Sequence, residues 1–318
     1  MATGLRLDYR PSFIFKNGHI NTCFPTIFRK IEVKYRRERI NTPDLDFLDI
    51  DWIKKGNNKV IVLCHGLEGS SKSKYIQGMA KYFSERGWDI LAMNYRGCSG
   101  EINKKIKFYN MGQIEDLEEV LKKTEDYKKV VLAGFSLGGG LVLNYLGSKK
   151  TLPTNIHCAM AVSAPCDPLG SARTFVKKEN RIYRDYFMKK LKSKIVEKNI
   201  LNPGKINLDG ILECKTIEEF DDIFTAPQYG YRDALDYYEK VSPKHSIPNI
   251  KIPTLILMAE DDPIMSESCY PIKEAKKNKK ITLEITKYGG HVGYARLFGE
   301  HYWLEERLFE FVTEIEKK

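Results

Sequence analysis

Short apolar runs rich in β-branched residues alternate along the chain with stretches whose apolar positions fall three and four residues apart. Val60–Cys64, Ile90–Met93, Val130–Ala133, Ala159–Val162, Thr254–Met258 and Ile281–Ile285 are too short for helices and read as strands. Between them, residues 74–86 place Ile76, Met79, Ala80 and Phe83 at helical spacing. Residues 113–126 carry Ile114, Leu117 and Leu121 on one helical face, and Leu141–Leu146 reads as an apolar helix. Strand and helix in alternation predict βαβ units, hence a mainly parallel central sheet flanked by helices in a single domain spanning 1–318. Two regions depart from that pattern. The first fifty residues read as an irregular lead-in followed by an antiparallel hairpin, Ile31–Arg36 then Asp46–Trp52, turned at Asn41-Thr42-Pro43. From about 165 to 240 the sequence is rich in Lys, Tyr and Phe, reads mostly helical and has no clear strand. That stretch is the candidate for a helical cap inserted between two strands; the plainer alternative is a helical excursion packed on the domain edge.

Composition narrows the function classes. With 318 residues, 42% of them hydrophobic, the chain can bury the core of one large α/β domain. Its formal net charge is +10, but the lysines are spread out, densest at Lys34–Arg39, Lys177–Lys194 and Lys276–Lys280. No zinc-finger, homeodomain or RNA-binding pattern accompanies them, which argues against nucleic acid as partner. Charge without a motif leaves an anionic membrane surface as a candidate peripheral contact. The cysteines at 23, 64, 98, 158, 166, 214 and 269 form no C-x-x-C, so a zinc ribbon or thioredoxin-like site is not expected. Their odd number and the lack of an N-x-[ST] sequon point to a reducing, cytoplasmic compartment. Residues 1–18 lack the apolar stretch of a signal peptide, and no run approaches the ~18 apolar residues of a membrane span. The segment Gly66–Ser73 lacks the Gly directly before Lys that a phosphate loop requires. No H-E-x-x-H or Asp/His cluster points to a metal, and nothing calls for a cofactor.

The chemistry concentrates in Gly134-Phe135-Ser136-Leu137-Gly138, a G-x-S-x-G sequence. A β-branched strand precedes it and an apolar helix follows, the setting in which a serine is presented as a nucleophile on a sharp turn. The glycines answer the crowding of that turn, and the helix N-terminus behind it offers N–H groups to a developing oxyanion. On such a turn the acid and then the base come later in the chain. Of six histidines only His291 and His301 come late enough. His291, in Gly289-Gly290-His291-Val292-Gly293, is favoured as base over His301, which sits among Glu300, Tyr302 and Trp303 in a helical pattern. The acid should end the strand at 254–258, where Glu260, Asp261 and Asp262 follow. Asp262, before Pro263-Ile264, is favoured, with Asp261 the alternative. The backbone N–H groups of Leu67, after the Val60–Cys64 strand, and of Leu137 are the candidate oxyanion donors. His65 reads as a residue that orients its loop.

Several strings together resemble one family. They are His65-Gly66-Leu67-Glu68-Gly69-Ser70-Ser71, Asn94-Tyr95-Arg96-Gly97-Cys98-Ser99-Gly100-Glu101, and Gly134-Phe135-Ser136-Leu137-Gly138-Gly139. Asn17-Gly18-His19-Ile20-Asn21-Thr22, Asp261-Asp262-Pro263 and Gly290-His291 extend the likeness over about 17–300. The chain resembles the YheT-like, embryogenesis-associated branch of the α/β-hydrolases; Gly140 departs from it, where Asn is more usual. The resemblance implies the α/β-hydrolase fold and a serine esterase acting on short- to medium-chain or lipid acyl esters, with Ser136, Asp262 and His291 as its triad. It also implies a second possibility, acyl transfer from acyl-CoA to an alcohol through the same acyl-enzyme. A non-catalytic scaffold would be marked by loss of a triad residue, and all three are present. Phe175, Tyr183, Tyr186 and Phe187 are candidates to line an acyl tunnel, or else ordinary packing. The cations of 177–194 would hold a lipid head group, or else form a solvated helix face.

Overall fold

A computed structural model describes residues 9–317 and, by backbone alone, residues 4–6. Among these residues the strands are β1 (Gly4–Arg6), β2 (Arg36–Asn41), β3 (Phe47–Ile53), β4 (Lys59–Cys64), β5 (Asp89–Asn94), β6 (Lys129–Phe135), β7 (Ile156–Val162), β8 (Thr254–Ala259) and β9 (Ile281–Thr286). They form one sheet in the order β1-β9-β8-β7-β6-β4-β5-β3-β2, parallel throughout except that β3 runs antiparallel to both its neighbours. Inner strands of a parallel sheet are covered on both faces, so here their central positions form continuous apolar runs, with polar residues such as Lys59, Lys129 and Thr254 at or near their ends. Side chains still alternate between faces. Val60, Val62 and Cys64 of β4 face a core with Leu117, Val120 and Leu143, while Ile61 and Leu63 face another with Met79, Phe83, Leu308 and Phe311. Each fully buried aliphatic side chain of this kind contributes about 1.5–3 kcal/mol.

The helices α1 (Gly18–Phe28), α2 (Lys74–Ser84), α3 (Ile114–Leu121), α4 (Leu137–Ser148), α5 (Pro168–Val176) and α6 (Arg181–Leu201) are joined by shorter ones and by a C-terminal helix, Trp303–Glu316. The stretches read as helices at 74–86, 113–126 and 141–146 correspond to α2, α3 and the middle of α4.

The N-terminal region corrects the sequence reading twice. Part of the expected irregular lead-in is α1, which carries Pro25 and leaves Ile20, Ile27 and Phe28 exposed. Its apolar residues therefore form no core-facing stripe that periodicity can detect. Other contacts hold it instead: the Asn17 side chain caps it, Phe24 meets Phe15 edge-on with ring centroids 4.8 Å apart, and Arg29 at its C-cap pairs with Glu305 of the C-terminal helix at 2.6 Å. The first hairpin strand is Arg36–Asn41, later than Ile31–Arg36. This edge strand is polar because Arg37 and Arg39 fork onto Asp51 and Asp49 of β3, each with two N–H···O bonds of 2.7–2.9 Å.

Between β7 and β8 the chain runs from Ser163 to Pro253 through helices, with no strand among the described residues. The basic stretch within it is divided. Lys177, Lys178, Arg181 and Lys189 are exposed, whereas Lys190, Lys192 and Lys194 of α6 turn to protein acceptors.

Candidate active site

Strand β6 delivers the chain to Ser136 and α4 carries it away, so the serine sits at the point of turning. Its φ of 54° and ψ of −121° lie outside the regions favoured by L-residues, at a cost on the order of 1–3 kcal/mol. The turn is too crowded for side chains on either flank. A Cβ on Gly134 would lie 2.1 Å from the Gly138 carbonyl oxygen, and one on Gly138 would lie 2.3 Å from that of Cys64. The Ser136 N–H donates to the Val162 carbonyl at 2.8 Å, which anchors the turn to β7.

His291 lies in the loop after β9. Its Nε2 is 2.8 Å from Ser136 Oγ and its Nδ1 is 2.9 Å from Asp262 Oδ2. Asp262 is buried, and its Oδ1 accepts the Ile264 and Met265 N–H groups at 2.9 and 3.3 Å. With Oδ1 so occupied, Oδ2 faces the imidazole. A carboxylate there places the imidazole proton on Nδ1 and leaves Nε2 free to accept from the serine hydroxyl. Asp261 has a different position: its Oδ1 accepts the Gly290 N–H at 2.8 Å. Its Oδ2 is buried with no partner among the described residues. Burial, reinforced by the nearby Asp262 charge, pushes the Asp261 carboxyl up to about 6.

On the other side of Ser136, the loop after β4 is held at two points. Gly66 N–H donates to Tyr75 Oη at 2.9 Å and Glu68 N–H to Tyr109 Oη at 2.8 Å, with Leu67 between. Leu137 is the first residue of α4, so its N–H has no partner within the helix. His65 is wholly buried, and burial pushes its imidazole down to about 3. Its Nδ1 donates to Gly66 O at 2.7 Å and its Nε2 accepts the Tyr95 N–H at 3.2 Å, so it ties two loops together. His301 lies elsewhere, edge-on to Tyr82 at 4.8 Å and 3.5 Å from Glu85.

Three side chains that brace the His291 loop had no role in the sequence reading. Thr22 Oγ1 accepts the His291 N–H at 2.8 Å and donates to Gly18 O at 2.6 Å. Asn21 Oδ1 accepts the Ala295 N–H at 2.9 Å, and Ser163 Oγ accepts the Val292 N–H at 3.2 Å. The Asn17–Thr22 string was visible in the sequence, but nothing in it told that it folds back over a loop some 270 residues away.

Ser136, His291, Leu67 and Leu137 open on a cavity of about 950 Å³, solvent at its mouth included. The stretch between β7 and β8 supplies much of its lining, including Ala172, Phe175, Phe187, Leu191, Phe220 and Tyr238. Of the four aromatics named from the sequence, Phe175 and Phe187 line it and meet edge-on at 5.7 Å. Tyr183 instead stacks on His19 of α1, and Tyr186 is half exposed. Among the described residues, Asp221 is the carboxylate that lines the cavity, bonded to Thr225 and Tyr238.

A family model described as the alpha/beta hydrolase fold matches residues 59–202. The chain is 33% identical to the YheT protein of Escherichia coli K12, classed among esterases, over 96% of this chain and 93% of that one. Phospholipase ABHD3 of Mus musculus is 32% identical over 85% of this chain and 69% of its own. Embryogenesis-associated protein EMB8 of Picea glauca is 27% identical over 99% of this chain and 74% of its own. Among solved structures, the Pyrococcus furiosus esterase Pf2001 superposes with a TM-score of 0.58 at 18% identity, over 88% of this chain and 92% of that one. Among the described residues no helix is long and apolar enough to cross a membrane.

Proposed function

Because the chain belongs to the α/β-hydrolases, in their YheT-like branch, we propose that it cleaves acyl esters through a Ser136–His291–Asp262 triad and an acyl-enzyme. It is an esterase/lipase-type hydrolase. The observation that carries the finer reading is the unbroken hydrogen-bond chain from Ser136 Oγ through both imidazole nitrogens to Asp262, opening on an apolar cavity.

His291 Nε2 takes the Ser136 hydroxyl proton as Oγ attacks the acyl carbonyl, and Asp262 stabilises the imidazolium that forms. The oxyanion is held by the N–H groups of Leu67 and Leu137. On collapse, His291 returns the proton to the departing alcohol. Water, deprotonated by the same imidazole, then releases the acid. The helical insertion acts as a cap, and its apolar lining receives the acyl chain. Relatives named phospholipase and monoacylglycerol lipase support short- to medium-chain or lipid esters as the substrate class. The exposed cations Lys177, Lys178, Arg181 and Lys189 support a peripheral contact with anionic lipid. Reversing all four to Glu should weaken binding to anionic vesicles, and unchanged binding would remove that contact.

The test is hydrolysis of p-nitrophenyl esters from two to sixteen carbons by the wild type beside Ser136→Ala. Turnover with a chain-length optimum, abolished in the variant, is expected. Equal rates for two folded proteins would sink the nucleophile assignment. Acyl transfer from acyl-CoA to an added alcohol, without hydrolysis, would show that the acyl-enzyme is resolved by an acceptor other than water.

A further inference from the structure

Glu68 is a buried carboxylate next to a proposed oxyanion donor, and the mechanism does not use it. Its φ is +53°, a left-handed conformation that a non-glycine residue adopts only when its surroundings impose it. Three groups do so here. Tyr109 Oη accepts the Glu68 N–H at 2.8 Å and donates to Glu68 Oε1 at 2.7 Å. Lys194 Nζ donates to the same Oε1 at 2.9 Å. Lys190 Nζ donates to the Glu68 carbonyl oxygen at 3.0 Å. Backbone N–H, backbone carbonyl and side chain of one residue are thus all held.

The two lysines are one turn apart on α6, so a single helix face supplies both. Lys198, a further turn along, donates to Asn103 Oδ1 at 2.6 Å and also reaches the Lys105 carbonyl. Lys194 Nζ lies 3.0 Å from Cys98 Sγ as well, within the Arg96–Glu101 string that the sequence singled out. Tyr109 in turn stacks on Tyr95 at 5.0 Å, whose N–H is held by His65. The loop after β4, the loop after β5 and α6 therefore meet at Glu68. The ion pair is shielded: the Glu68 side chain is 1% exposed and that of Lys194 16%. Such a pair loses little to solvent screening, and removing one partner leaves the other buried and uncompensated.

We propose that Glu68 is a positioning residue, clamped by Lys190 and Lys194 of the insertion and by Tyr109 so that the preceding Leu67 N–H is aimed at the oxyanion. The insertion then does more than line the acyl cavity, because its helix α6 sets the geometry of the oxyanion loop. This rests on the reading of Ser136 as nucleophile and of Leu67 as donor. Released from the clamp, Glu68 relaxes toward negative φ and the neighbouring peptide units turn with it. An oxyanion donor acts in the transition state, so its misalignment lowers kcat and leaves KM nearly unchanged.

The experiment compares full-length wild type, Glu68→Gln, Lys194→Met, their double variant and Lys194→Arg. The enzyme is first titrated with a fluorophosphonate to count active serines, then assayed for kcat and KM on its best p-nitrophenyl ester. Affinity for a trifluoromethyl ketone, which forms a tetrahedral oxyanion adduct, is measured alongside. Glu68→Gln and Lys194→Met should each lower kcat per titrated site at least tenfold, with KM within twofold. Ketone affinity should fall by the same factor as kcat/KM. The double variant should be no worse than the poorer single one, because the two act as one unit, and Lys194→Arg should recover most of the rate. Unchanged kcat and ketone affinity per titrated site would overturn the proposal, as would equal losses in rate and in titratable sites, which mark a stability defect alone. If Lys194→Met does not fold, the near-isosteric Glu68→Gln decides by the same criteria. A wild type that neither reacts with the fluorophosphonate nor turns over would instead count against the serine mechanism itself.

Discussion

Asp261 and Asp262 share a charge and a neighbourhood, yet their surroundings separate them. Asp262 presents Oδ2 to His291 while two N–H groups hold its other oxygen. Asp261 holds the Gly290 N–H that precedes the histidine and leaves its second oxygen buried without a partner among the described residues. Asp262→Asn should therefore lower kcat by about 10⁴-fold, since an amide that donates to Nδ1 enforces the wrong tautomer. Asp261→Asn keeps an acceptor for Gly290 and should change kcat less than threefold in the same steady-state assay. Asp261 also makes stability depend on pH. The Asp261 carboxyl is pushed up to about 6, above its ordinary 3.8, so the folded chain binds this proton more tightly than the unfolded one. Its contribution to stability is present at low pH and is lost as pH rises from about 4 through 6. Thermal unfolding should accordingly show Asp261→Asn gaining on wild type as pH is raised from 4.5 to 7.5, and a constant difference would contradict the assignment.

At the scale of elements, α1 braces the loop that carries His291. It reaches the histidine loop through Thr22, and it reaches α6 through His19, whose Nδ1 is 3.1 Å from Tyr183 Oη. Thr22→Val keeps the shape and removes the hydroxyl that accepts the His291 N–H. It should lower kcat about tenfold while the circular dichroism spectrum and the titratable serine remain unchanged; an unaltered rate would reduce α1 to a structural cover. The same helix shows where sequence patterns stop being informative. The strands β4 to β8 are legible because burial on both faces demands continuous apolar runs, and β9 because Ile281, Leu283 and Ile285 alternate with polar residues. The edge strand β2 is misplaced by the same rule, because its stability comes from Arg37 and Arg39 paired with Asp51 and Asp49 rather than from apolar alternation. Helix α1 escapes notice because it packs through an Asn, a Thr and two aromatics, with no regular stripe.

At the scale of the molecule, the sheet carries Ser136, Asp262 and His291 at the ends of three strands, and the stretch between β7 and β8 closes the cavity above them. Lining residues then set what fits. Ala172→Leu, which narrows the cavity, should shift the p-nitrophenyl ester optimum to shorter chains. Phe187→Ala, which widens it, should shift the optimum to longer ones, and both should leave two-carbon turnover within about threefold. Optima that do not move would place the acyl chain elsewhere. The division of the basic segment also belongs to this scale. In the sequence, Lys177 to Lys194 read as one charged stretch, whereas in the fold Lys177, Lys178, Arg181 and Lys189 face solvent and Lys190 and Lys194 join α6 to the loop after β4.

The sequence by itself determined the sheet-and-helix alternation and the family, and it offered Ser136, an aspartate and His291 in the chain order of the proposed nucleophile, acid and base, because these depend on local burial and on spacing along the chain. It could also narrow the proposed acid to two neighbouring aspartates. Only the tertiary structure gave those two different partners, His291 for Asp262 and the Gly290 N–H for Asp261, joined Thr22 to His291 across 269 positions, and brought Lys190 and Lys194 to Glu68. Hydrogen bonds and ion pairs between distant segments leave no periodic trace in the chain; they depend on which surfaces the packed core brings within 3 Å of each other.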